Sequence, residues 1–203
     1  MSKVYSLVLS EEVINEVDRE AYKEGLSRSA MIERILAEYL SYETPKMWIG
    51  SIFEELERAV GRHRNMRLLA RPSAQTVCVG SALNYRYNPS VRYTVELTGG
   101  GEKRGKLSVS LRTQNAALIE AVTQFFRLFA SLERRYVSAE NGWSEGGFVR
   151  RFDLEKSAEP LGEKITEYIR AFDSLLNLYF GGAEGREGII EKKFRDNIDA
   201  FNI

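Results

Sequence analysis

A lone strand followed at once by two helices is the tightest constraint in this 203-residue chain. In Lys3 to Ser10 (KVYSLVLS), Tyr5, Leu7 and Leu9 alternate with Val4, Ser6 and Val8, the period of a strand with one covered face. The next strand candidate begins only at Thr76, far along the chain. A strand needs a neighbour for its backbone groups, and a unit this small buries too little surface alone. The simplest solution is a second copy, each chain lending its strand to an antiparallel pair.

The two helices carry their own punctuation. Ser10 is placed as an N-cap, and Glu11 and Glu12 put negative charge in the first turn, where the helix dipole favours it. Val13, Ile14, Val17 and Ala21 recur at helical spacing, and Gly25 supplies a left-handed stop. Ser27 caps a second helix whose apolar face is Ala30, Met31, Ile35, Leu36, Tyr39 and Leu40, with Pro45 beyond its end.

Strand, capped helix, a Gly-Leu-Ser-Arg-Ser-Ala-Met-Ile turn and an amphipathic helix together resemble the ribbon-helix-helix DNA-binding fold of the Arc, MetJ and CopG proteins. The resemblance covers about a fifth of the chain and implies an intertwined dimer whose two-stranded ribbon enters the major groove of double-stranded DNA. On that analogy Val4, Ser6 and Val8 face the bases. Lys3, Ser27, Arg28 and Ser29 face phosphates, the last three at a helix N-terminus with free N–H groups. Valines can touch thymine methyls and Ser6 can exchange one hydrogen bond, so modest specificity is expected. Residues 1–45 hold five basic side chains against nine acidic ones, a net −4 that a duplex repels unless the acids lie on the far side. A unit kept only for dimerisation is the bland alternative.

Length allows this module, residues 1–44, and one ordinary domain, residues 45–203. No run approaches eighteen apolar residues, so no membrane contact is expected. The N-terminus lacks the apolar core of a signal peptide, and the single cysteine, Cys78, fits a reducing cytoplasm.

Beyond the joint at Glu43–Lys46, Ile49, Ile52, Phe53, Leu56 and Val60 predict a helix ended by Gly61. A loop at Ala70–Ser73 leads to strands at Thr76–Tyr85, Ser90–Leu97 and Lys106–Arg112, an antiparallel meander with one solvated face. Thr113 is placed to cap a helix running to about Tyr136. A loop over Glu140–Gly147 (ENGWSEGG), a short strand near Phe148–Leu154, a helix from Pro160 to Phe180 and a last helix from Arg186 to Phe201 complete the pattern. The order is that of an α+β domain with a small antiparallel sheet and long helices, serving oligomerisation or sensing.

Several motifs are weaker than they look. Gly100, Gly105 and Lys106 have the spacing of a phosphate-binding loop, but Leu107 has no hydroxyl for magnesium and a strand follows where a helix is required. One histidine, His63, and one cysteine make a nickel or zinc site implausible and leave a hydrolase without an evident nucleophile, so neither enzyme nor cofactor is expected. Residues 61–112 hold ten basic residues against two acids, interleaved with tyrosines. Arg86, Arg92 and Arg104 are its candidates for an accessory nucleic-acid patch; a solvated sheet face is the alternative. Trp143, among polar and glycine neighbours, either closes over its own core or covers a ligand.

These readings converge on the expectation of a homodimeric transcriptional regulator, a repressor, whose dimers can pair further and whose larger domain takes a small-molecule or protein ligand. The alternatives are an antitoxin-like protein-interaction module, and a low-specificity DNA-organising accessory of a plasmid or mobile element.

Overall fold

Both N-terminal helices form between the caps the sequence supplies. Helix α1 spans Glu11–Glu24, with the Ser10 hydroxyl accepting from the Val13 N–H; α2 spans Arg28–Tyr39, with the Ser27 hydroxyl accepting from the Ala30 N–H. Gly25 takes φ 66°, and the Leu26 N–H reaches back to the Ala21 carbonyl at 2.8 Å. This closes α1 with a left-handed turn that glycine enters without steric cost. Ser41 ends α2 the same way at φ 51°, the Tyr42 N–H reaching the Ala37 carbonyl at 2.8 Å, although no glycine marks the place.

The computed structural model describes residues 6–99, 104–153, 160–182 and 186–203, which divide into two units, Met1–Thr44 and Pro45–Ile203. In the first, Val17, Ala21 and Met31 are buried together, with Leu26 and Ile32 packed against them. Among the described residues, 6–10 pair with no strand, and Lys3, Val4 and Tyr5 lie outside them.

The second unit opens with α3, Pro45–Gly61, proline standing at the first helical position where its missing N–H costs nothing. Six antiparallel strands follow: β1 Met66–Leu68, β2 Thr76–Ala82, β3 Ser90–Thr98, β4 Arg104–Leu111, β5 Glu140–Ser144 and β6 Gly147–Asp153. Their order across the sheet is β1-β2-β3-β4-β6-β5. Helix α4 covers Ala116–Tyr136, α5 Leu161–Phe180 and α6 Arg186–Asp196, with a short 3-10 turn at Ile198–Phe201.

The sheet is larger than the sequence pattern predicts. Glu140–Gly147, expected as a loop, is mostly strand β5 paired to β6 (Trp143 opposite Phe148). Its Asn and Gly disfavour a strand intrinsically, but the ready-made edge of β6 overrides that preference. Strand β1 is three residues long and carries too little alternation to be seen. The α4 cap is Asn115, which accepts from the Leu118 N–H at 3.2 Å, while Thr113 braces the Asn115 N–H. The last helix breaks after Asp196.

One face of the sheet is buried through the in-register row Val79, Tyr93, Val109 and Phe148. Against it pack Phe125, Phe126 and Phe129 of α4 and Phe172 of α5, with Phe129 and Phe172 4.4 Å apart between ring centres. Helix α3 lies on α5 at Gly162, where a β-carbon would come within 2.5 Å of the Ile52 carbonyl oxygen. The opposite face carries Arg92, Thr94, Glu96, Lys106 and Ser110, half-buried or exposed. Buried under α4, Glu133 takes hydrogen bonds from Tyr168 at 2.8 Å and Asn141 at 2.9 Å, with Arg150 Nε 3.8 Å away. Burial raises the Glu133 pKa against the opposing pull of Arg150.

Candidate nucleic-acid interface

The described part of the ribbon segment is graded in exposure. Val8 is 101% exposed, Leu7 60% and Leu9 38%. Ser6 is exposed as well. Ser6 and Val8 are thus both open to solvent in this structure.

Ser27, Arg28 and Ser29 form the start of α2. Ser27 is committed to capping, and the Arg28 and Ser29 N–H groups point out of the helix with no partner among the described residues. Arg28 is not idle. Its Nε donates to Asp18 Oδ1 at 2.6 Å and its Nη2 to Asp18 Oδ2, a two-pronged pair that holds the Asp18 carboxyl below its ordinary pKa and raises that of the guanidinium. Arg34 clamps Glu24 likewise, its Nη2 at 2.8 Å from Oε1. These two pairs tie the start and middle of α2 to α1, a role the sequence reading missed; basic residues of α2 opposite acids of α1 across a tight turn were the available signal. Arg28 keeps Nη1, whose two N–H groups remain for a phosphate.

Arg19 and Lys23 are also paired, to Glu16 and Glu20. Four of the unit's basic side chains thus answer acids of the same unit, which places their charge locally and leaves the net negative charge of the unit as the sequence has it.

The same unit displays an unusual amount of apolar surface. Leu7, Leu9, Val13, Ile35, Leu36, Tyr39 and Leu40 are all exposed, beside a small core of Val17, Ala21, Met31 and Ala37. Val13, Val17 and Ile35 line a shallow apolar hollow of about 310 Å³ between α1 and α2, edged by Glu12, Glu16 and Glu20.

In the larger unit the three arginines of the accessory patch do not gather. Arg86 is in the β2–β3 turn and Arg92 on the open sheet face opposite Ser110, whereas Arg104 starts β4 opposite Thr98 and Asp153. Six residues of strand separate the Ser110 and Arg104 positions, about 20 Å. The strip between them is neutralised by Lys106–Glu96 at 3.2 Å and Arg151–Glu140 at 3.3 Å. Trp143 is 41% exposed on edge strand β5, under the Arg127 guanidinium at 4.4 Å, a cation–π contact at the sheet margin. No described helix is long and apolar enough to cross a membrane.

Residues 6–43 match the family described as ribbon-helix-helix protein, copG family. No curated protein and no solved structure matches the chain.

Proposed function

We propose that this chain, whose residues 6–43 match the CopG ribbon-helix-helix family, is a homodimeric, non-enzymatic transcriptional regulator that acts as a repressor by seating a two-stranded ribbon in the major groove. Ribbon-helix-helix proteins are generally DNA-binding transcription regulators. The observation that carries the reading is the apolar surface of the first unit. Large apolar side chains such as Leu7, Val13, Ile35, Tyr39 and Leu40 stand in solvent around a small core of Val17, Ala21, Met31 and Ala37, a state a second copy relieves by burying them. Pairing also gives the segment at Ser6–Leu9 a strand partner that it lacks among the described residues of its own chain.

Within the dimer Val4, Ser6 and Val8 meet base edges. Lys3, the free N–H groups of Arg28 and Ser29, and the spare guanidinium edge of Arg28 meet phosphates. The larger unit, residues 45–203, serves sensing or further pairing of dimers.

Sequencing the DNA protected by the purified chain at two salt concentrations, with sedimentation to give the oligomeric state, tests this. A dimer that protects a few sharp sites at both salts is expected. Broad coverage that vanishes with salt favours the DNA-organising alternative, which the modest, valine-rich reading surface supports. A dimer that recovers no DNA leaves a protein-interaction module.

A further inference from the structure

A polar cavity of about 750 Å³ opens in the larger unit where the α3–β1 turn, the β2–β3 loop and the end of α5 meet. Its size falls within the range of small-molecule sites. Its chemistry is uneven in a telling way.

At its floor is Asp173, 7% exposed, on the same face of α5 as Ile169 and Phe172. Oδ1 is filled, accepting from the Ser81 hydroxyl and, at 2.8 Å, from the Tyr93 hydroxyl. Oδ2 accepts only from the Asn177 amide, at 3.2 Å. A carboxylate has about four lone-pair positions, so Oδ2 keeps capacity toward the cavity. No lysine, arginine or histidine pairs with Asp173 among the described residues, and burial raises its pKa. A buried acid with no counter-charge is costly unless something supplies one.

At its mouth are Arg64 and Arg67, both exposed and both without a partner among the described residues. Both line the cavity, and an exposed guanidinium fits a planar or tetrahedral anion. The wall between is built rather than accidental. The Asn177 Oδ1 accepts from the Asn84 N–H at 2.6 Å, which fixes the β2–β3 loop against α5. The same loop holds Tyr87 and Asn88 at positive φ, 64° and 44°, a strained conformation for such residues.

We infer that this cavity is the effector site of the larger unit and takes a small amphoteric molecule, its ammonium group on Asp173 and its carboxylate or phosphate on Arg64 and Arg67. The ammonium supplies the missing counter-charge at the floor, and the anion occupies the two unpaired cations at the mouth. The inference deepens the sensing half of the proposed function and is read without DNA, so the two can fail separately.

The test is calorimetric titration and thermal shift of the full-length chain in two arms, the twenty standard α-amino acids and glucosamine 6-phosphate. At least one compound is expected to bind more tightly than about 1 mM. Removing its ammonium by N-acetylation, or its anion by amidation or dephosphorylation, should each weaken binding about tenfold or more. The Arg64→Gln/Arg67→Gln double variant, altered only at exposed positions, should melt like the parent without ligand and bind about tenfold more weakly. Asp173→Asn should lose the preference for ammonium over its N-acetyl form. Absence of binding in both arms overturns the inference. So does binding indifferent to the arginine pair, or a double variant that flattens the salt dependence of DNA binding while ligand affinity stays unchanged.

Discussion

Single side chains divide the work of the first unit, and the division can be measured. On the proposed function the exposed Ser6 meets base edges, so Ser6→Ala should blunt discrimination between operator and random DNA by about 1 kcal/mol or more. Arg28 has a double duty, holding Asp18 while its Nη1 stays available. Arg28→Ala should weaken binding to all sequences alike and lower the salt slope; equal losses from both substitutions on cognate and random DNA would contradict this assignment of roles. In the larger unit, Asp173 carries a pH signature. Its pKa is raised in the folded state, first by burial, so the folded chain holds a proton that the unfolded chain releases near 3.8. The associated stability is complete below that pH and is lost as the pH climbs through the raised value. Denaturant midpoints of the parent relative to Asp173→Asn should therefore fall across that interval, and a constant difference between the two would refute it. The sequence offered a signal for this residue, an acid four places after Ile169 on an otherwise apolar helical stripe, but its partners Ser81 and Tyr93 lie some eighty to ninety positions away and no local pattern joins them.

At the scale of elements, what could be read from the sequence was what is decided locally. Ser10, Ser27 and Gly25 bracket α1 and α2 through contacts within a few residues, so their effect is visible in the order of residue types. The alternation Val91, Tyr93, Val95, Leu97 likewise exposes β3 as half-buried. Elements fixed by their neighbours stayed hidden. Strand β5 exists because β6 offers it an edge, and the left-handed end of α2 falls on Ser41, where serine gives no hint of positive φ. The meeting of α3 with α5 was equally unreadable, since Gly162 looks like an ordinary residue of a helix start. Here its lack of a side chain lets the Ile52 carbonyl and the Glu55 stem come close. Gly162→Ala should cost about 1–3 kcal/mol, because the helices must separate to admit a methyl group. A chemical melt showing no loss would mean the two helices yield more easily than their backbone contact implies.

Across the whole molecule the two units draw stability from different sources. The larger one has a continuous aromatic core from α4 and α5 onto the sheet; the smaller has a small core of Val17, Ala21, Met31 and Ala37 and an apolar exterior. A calorimetric scan should therefore resolve two transitions. The first should move upward as protein concentration is raised, because it is coupled to association, and the second should stay in place. A single transition insensitive to concentration would remove the argument for a paired first unit. Between α2 and α3 run only Leu40 to Thr44, a leash that extends at most about 18 Å. In the proposed dimer the larger portions of the two chains are confined to one small volume, at an effective concentration on the order of millimolar. An attraction between those portions too feeble to register in free solution would then be populated wherever that dimer held DNA, and a molecule that altered it slightly could be felt at the DNA without touching it.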